Sequence, residues 1–359
     1  MYLILETANT HGGSLDYLFS LIDEFKKINY KNLGMKFQVF KYDQIACKDY
    51  EWYSVYKKLY FTSKKWTDII NKANESFDVW LDIFDTYGAQ ILRRNYKNIY
   101  GIKLQSSVLK NEKIITELED LKMEDKFIII NIAGYGIKQV KDLIINYEKR
   151  LNPKELLIEI GFQSYPTKSN DSGLSKIKVI RNFCDNRIVF ADHSDPLSKS
   201  AIELPFMASV KGVEVIEKHI MHSNLNTKYD FHSSLKINQI KLLIEKINFH
   251  KKLIDQNFMN KREKDYLNKT IQLPVISKTK LSGEFINTND FNFKRTNQKG
   301  LNFDNLNKKI ISGFIKLKNK KNKDEVLKIN DLDQVKIGCI VAVRLKSSRL
   351  KNKALLKIG

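Results

Sequence analysis

Through the first 220 residues, short and nearly unbroken apolar runs alternate with stretches whose apolar side chains return every three or four positions. The runs are LILET at Leu3, MKFQVF at Met35, VWLDIF at Val79, IYGIKL at Ile99, FIIINI at Phe127, LLIEIGF at Leu156, IVFAD at Ile188 and VEVIEK at Val213. Each has the length and continuity of a strand buried on both faces. SLDYLFSLIDEFKKI, from Ser14, has the helical spacing instead, with a serine placed to cap its first turn. Eight such strands separated by helices predict an α/β fold, a closed (β/α)8 TIM barrel. The functional face of such a barrel is formed by the C-terminal ends of its strands. Those ends carry Glu6, Lys36 with Gln38, Asp85, Lys103 with Ser106, Gln163 with Tyr165, Asp192 with His193, and Glu217 with His219. His193 and His219 lie on consecutive strands and are expected to face each other across one mouth.

The pattern changes after a long helical stretch from about Leu235 to Asp255. TIQLPVIS, KLSGEFI, NDFNFKR and DEVLKIND read as short strands with turn residues between them, a small β-rich domain from about Leu267 to Leu332. No internal repeat is evident, and KLKNKKNKD from Lys316 to Asp324 is the low-complexity stretch. The expected division is a barrel over 1–257, a linker and small domain over 258–332, and a separate segment over 333–359.

Composition changes this picture little. The formal charge is +21, yet the lysines are spread along the whole chain, and the densest run has no interleaved aromatics on which bases could stack. Specific nucleic-acid binding is therefore not expected. Three distant cysteines, Cys47, Cys184 and Cys339, argue against a disulfide framework and for a reducing compartment. No segment reaches the roughly 18 apolar residues of a membrane span, and the N-terminal run is too short for a signal peptide. The expectation is a soluble cytoplasmic protein.

Several motifs then coincide. ILETANTHGGSLDYLFSLID resembles IAExGxNHxGxLxxAxxLID, MKFQVFK resembles VKFQxFx, and FQSYPTKSND resembles TSxYPTPxED. ADHSD and GVEVIEKHIMHS are similar to the pair SDHTxG and GAxVIEKHFTLD, and KLSGEFINTNDFNFKR is similar to IKKGEVITEEDLxxKRP. These are motifs of the sialic acid synthase (N-acetylneuraminate synthase) family, in the same order and on the same strands. The resemblance implies a TIM barrel with a small antifreeze-like (SAF) domain. The implied reaction is condensation of phosphoenolpyruvate with an N-acyl hexosamine to a nonulosonic acid and phosphate, in surface polysaccharide biosynthesis. It also implies a divalent cation, Mn²⁺ or Mg²⁺, and a domain-swapped homodimer in which Arg295 reaches the partner's sugar site.

The residue types suit that chemistry. Lys36, Lys103 and Ser106 can hold the anionic donor. His193 and His219 can hold a cation through neutral imidazole nitrogens, acting as a Lewis-acid site. Glu6 can serve as a base or as an orienting carboxylate for water. Gln38, Gln163, Tyr165, Asp192 and Asp230 are the other candidates for substrate binding. Taken without the resemblance, the lysines and histidines read as rim residues, Tyr165 as packing, and Glu6 as an ion-pair partner of a lysine.

Departures from the family pattern are Asp82 in place of a threonine, Val108 in place of a glutamate, Asn131 in the loop written LSTGM in the family, and Ala191 in place of a serine. A carboxylate at Asp82 facing the donor would repel it. These changes motivate an alternative, a barrel without turnover that serves as a binding or scaffold domain. Finally, IGCIVAVRLKSSRLKNKALLKIG resembles the first strand and phosphate loop of cytidylyltransferases that activate acidic sugars. Arg344, Ser347, Arg349 and Lys353 stand at its nucleotide-contacting positions, an incomplete site expected to carry out no nucleotidyl transfer by itself.

Overall fold

All eight predicted runs form parallel strands in a computed structural model that describes residues 1–255, 257–336 and 338. They are β1 Tyr2–Glu6, β2 Leu33–Val39, β3 Asp78–Ile83, β4 Gly101–Leu104, β5 Phe127–Asn131, β6 Glu155–Ile160, β7 Ile188–Asp192 and β8 Val215–His219. Each pairs with its neighbours in sequence, and β8 returns to β1 with Glu6 opposite His219, which closes the ring. Closure works because residues at every second position point inward, while those between face the helices.

The outward set, including Leu3, Leu5, Phe37, Leu81, Ile128 and Phe190, joins a continuous apolar layer under the helices. The helix Leu15–Phe25 illustrates the fit, burying Tyr17, Leu18, Leu21, Ile22 and Phe25 while Ser14 Oγ accepts the Tyr17 amide at 3.2 Å. The inward set begins with an apolar floor of Ile4, Trp80, Phe127, Ile129, Leu157, Val189 and Val215. Trp80 fills the centre of this floor and donates its indole N–H to Tyr2 Oη at 3.0 Å. It fits because its strand neighbours are glycines: a Cβ on Gly101 would lie 2.4 Å from the indole, and one on Gly34 would lie 2.8 Å from it.

The chain divides into two compact units, Met1–Asp255 and Gln256–Gly359. In the second, β9 Leu273–Ile276 pairs with β11 Phe291–Lys294, and β10 Phe285–Ile286, β12 Phe314–Leu317 and β13 Leu332–Val335 form a three-stranded antiparallel sheet. The segment DEVLKIND is not the strand its composition suggests. It holds a turn, an isolated bridge at Val326 and a short helix Ile329–Asp331, and the strands lie before and after it. The helix Phe303–Ile311 was also absent from the expectation; Asn302 caps it, and it buries Leu306.

An internal repeat not evident in the sequence is present in this unit, at an offset of 41 residues. The core pairs Ile276 with Leu317, Ile286 with Leu327, and Phe291 with Leu332 stand at equivalent places. Lys280 binds Asp290 at 2.7 Å as Lys321 binds Asp331 at 2.8 Å. Gly283 and Asp324 share a left-handed turn position at φ 84° and 69°. The repeat was hidden because one copy uses glycine and phenylalanine where the other uses aspartate and leucine. No helix among the described residues is long and apolar enough to cross a membrane.

Substituting Gly101→Ala should overpack the barrel floor and lower stability by about 1–3 kcal/mol, read by urea denaturation. An unchanged midpoint would mean that the Trp80 floor yields without cost.

Candidate active site

Above the apolar floor the next inward position is polar on every strand but β7, which contributes Ala191. One comes from each strand: Glu6, Lys36, Asp82, Lys103, Asn131, Glu159, Ala191 and Glu217, all fully or almost fully buried. Glu217 bridges both lysines, with Oε2 2.6 Å from Lys36 Nζ and Oε1 2.7 Å from Lys103 Nζ. Glu6 Oε2 lies 2.8 Å from Lys36, and Glu159 Oε1 lies 2.7 Å from Lys103. Asn131 Nδ2 donates to Glu159 at 2.7 Å, and Gln105 Nε2 donates to Asp82 at 2.6 Å. Burial alone would push the Glu217 carboxyl up, but Lys103 and Lys36 outweigh it and hold it well below the ordinary range. Burial pushes Glu6 up to about 8 and Glu159 up to about 7, with Lys36 and Lys103 respectively only partly opposing it. For both lysines burial acts downward, yet the carboxylates around them win and keep them charged.

The tier above is uncharged. The His193 and His219 rings lie 4.7 Å apart at 79°, and Tyr165 packs on them at 5.0 and 5.6 Å. His193 Nδ1–H donates to the Phe162 carbonyl at 3.1 Å, which leaves Nε2 as a lone pair, and His219 Nδ1 lies 3.4 Å from Ser233 Oγ. Burial and then Lys103 lower His193 to about 4, and burial with the adjacent His193 keeps His219 well below its ordinary value, so both are neutral. Two neutral imidazoles, oriented through their Nδ1 atoms, are a donor set that fits a divalent cation. Among the described residues no group of three or more His, Cys, Asp or Glu side chains is placed to hold one, so further ligands would have to come from substrate or water.

Beside the histidines lies a cavity of about 190 Å³ lined by Gln38, Gln163, Tyr165 and Asp230, with Asn9 and Gln105. Asn9 organises it, donating its side-chain amide to Gln38 at 2.9 Å and its backbone N–H to Asp230 at 2.8 Å. Gln163 donates to Gln105 across the opening.

Other predicted positions fall elsewhere. Asp192 points to the outer face of its strand, where it binds Lys218 at 2.5 Å and Ser194 at 2.6 Å. Asp85 caps the next helix, accepting from Gly88 at 2.9 Å and from Lys41 at 2.7 Å. Ser106 offers its carbonyl to Tyr135, and Ser107 lines the cavity in its stead. Val108 belongs to the apolar layer under the helices. Arg295 lies in the second unit, its Nε donating to the Thr270 carbonyl at 3.1 Å. Arg344, Ser347, Arg349 and Lys353 lie outside the described residues. Sequence reasoning overlooked Glu159, Gln105 and Asn9. For Glu159 a signal existed, a charge inside the otherwise apolar run LLIEIGF.

The NeuB family profile matches residues 27–258. An uncharacterized protein of Methanocaldococcus jannaschii is 21% identical over 336 residues, which cover 92% of this chain and 94% of that protein. A putative spore coat polysaccharide biosynthesis protein E from Chromobacterium violaceum superposes with a TM-score of 0.78 at 17% identity, covering 92% of this chain and 99% of the other. N-acetylneuraminic acid (sialic acid) synthetase from Leptospira borgpetersenii serovar Hardjo-bovis gives 0.63 at 20% identity, over 74% and 91%. At these identities the structural likeness establishes the fold.

The buried acids predict a pH dependence of stability. Glu6 and Glu159 hold protons in the folded state that an unfolded chain releases near pH 4.5, so stability falls as pH rises toward about 7 and 8. The neutral histidines act in the opposite sense, but only below pH 6.5. Denaturant unfolding should therefore show stability declining from about pH 6.5 to 8. Glu159→Gln should make that decline shallower; an identical slope in the variant would place the proton elsewhere.

Proposed function

Since the chain belongs to the NeuB family, we propose that it joins phosphoenolpyruvate to the aldehyde carbon of an N-acyl hexosamine, yielding a nonulosonic acid and phosphate for polysaccharide biosynthesis. The observation that carries this reading is the stacking of two tiers at one mouth: neutral His193 and His219 beside a cavity lined by Gln38, Gln163, Tyr165 and Asp230, over the buried cations Lys36 and Lys103. In the reaction the donor's C3 forms a bond to the aldehyde carbon, water adds at the donor's C2, and phosphate leaves. A divalent cation held by His193 and His219 would supply Lewis acidity to the aldehyde. Gln38, Gln163 and Asp230 would orient hydroxyl and acyl groups, while Tyr165 packs against the histidines. Glu6, held by Lys36 and raised to about 8, suits proton transfer with the added water near neutral pH.

One observation favours a second reading, a barrel that binds without turnover: both lysines are already engaged by carboxylates. Incubation with Mn²⁺, phosphoenolpyruvate and a panel of N-acyl hexosamines decides between them. Phosphate should appear only when a sugar is present, and His193→Ala should bring it to the background without sugar. Release that ignores the sugar, or none with any sugar, would reject the synthase.

We further propose that two copies associate, with Arg295 of one serving the sugar site of the other. Arg295→Ala and His193→Ala chains, each inactive alone, should regain activity when mixed. Mixed dimers without activity would refute a site shared in this way.

A further inference from the structure

Both lysines are already engaged by carboxylates where a donor anion would bind. Lys36 Nζ is held by Glu217 at 2.6 Å, Glu6 at 2.8 Å and, more loosely, Asp82 at 3.7 Å. Lys103 Nζ is held by Glu159 and Glu217, both at 2.7 Å. Among the described residues four carboxylates, Glu6, Asp82, Glu159 and Glu217, thus face two ammonium groups at this level, and Asn131 and Ala191 complete the ring without charge. The histidines above are neutral. Two ionised carboxylates, Glu217 among them, would balance the lysines, so two of the four are surplus. Asp82, the loosest partner of Lys36, and Glu159 each have one oxygen, Oδ1 and Oε2, buried without a hydrogen-bond partner; Glu6 Oε2, the third such oxygen among the ring's carboxyls, still lies 2.8 Å from Lys36. A carboxyl group in that position is far less costly as a neutral acid than as an anion. As an acid it also presents an O–H, so it changes from a competitor of a bound anion into a donor to it.

We infer that Asp82 and Glu159 are specificity-determining residues: the phosphoenolpyruvate anion reaches Lys36 and Lys103 only together with protons taken up by these two carboxyl groups. The inference rests on the donor proposed above. Protonated Asp82 then supplies the hydroxyl donor that the threonine of the family pattern would have supplied. Ionised, the pair repels the donor and keeps the lysines occupied.

Calorimetric titration of the full chain with phosphoenolpyruvate tests this at pH 7.5 and 8.5, where the phosphate is fully ionised. Buffers of different ionisation heat should reveal net proton uptake, and affinity should fall about tenfold over that unit for each coupled proton. Asp82→Asn and Glu159→Gln keep the shape and remove the charge. At pH 8.5 each should bind phosphoenolpyruvate about tenfold or more tightly than the unaltered chain, with less uptake, and unfolding melts should show both variants folded. The inference is overturned if the unaltered chain binds with pH-independent affinity. It is equally overturned if neither variant binds more tightly, including the case in which no form binds. The donor reading fails differently: proton-coupled binding without sugar-dependent phosphate release would reject the synthase and leave this inference standing.

Discussion

One carboxylate, Glu217, holds the interior of the barrel together. Closing eight strands into a ring delivers inward side chains to a level that water does not reach, and two of them are lysines. An isolated ammonium there would be driven to lose its charge. Glu217 meets both at once, one oxygen to each, and Glu6 and Glu159 complete their shells from opposite sides. The apolar floor below and the uncharged histidine tier above depend on this arrangement, because it keeps the buried charges paired between them.

Burial first, with Lys103 second for His193 and the adjacent His193 second for His219, explains the state of the histidines. An imidazole buried over two ammonium groups and beside a second imidazole has every reason to stay neutral, and neutral nitrogen is what a cation or a substrate hydroxyl requires. The mouth is thus an uncharged surface on a charged foundation. The cavity beside it is lined by four amides, two phenols, a serine and one carboxylate, with Phe40, Phe84 and Ile45 as apolar walls, a set suited to hydroxyl groups more than to phosphate.

The barrel was legible because a strand buried on both faces must be apolar almost throughout, and eight such runs separated by helices leave little choice of topology. The histidines and lysines stood out as polar residues at the ends of such runs, but it was the resemblance to the sialic acid synthase motifs that turned them from rim residues into site candidates. What could not be read was parity. Asp192 adjoins His193 in sequence, yet one residue along a strand reverses the face, and its carboxylate binds Lys218 outside the barrel. Glu159 sits on the inner face of β6, but its charge could be interpreted only once Lys103 was known to stand opposite. In the small unit DEVLKIND was misleading because valine and leucine satisfy a turn's core contact as readily as a strand's, and Leu327 does so here.

The repeat in that unit has a consequence of its own. The Ile276 amide donates to Glu325, and the Leu317 amide donates to Glu284; Asp324 donates back to Ile276, and Gly283 donates back to Leu317. Lys280 and Lys321 exchange both of their backbone bonds at the axis between the halves. This is the self-complementary contact of a two-fold dimer, formed within one polypeptide. Each half takes backbone bonds from the other's turn, and the intervening chain acts as a tether that supplies each half with its counterpart at high effective concentration.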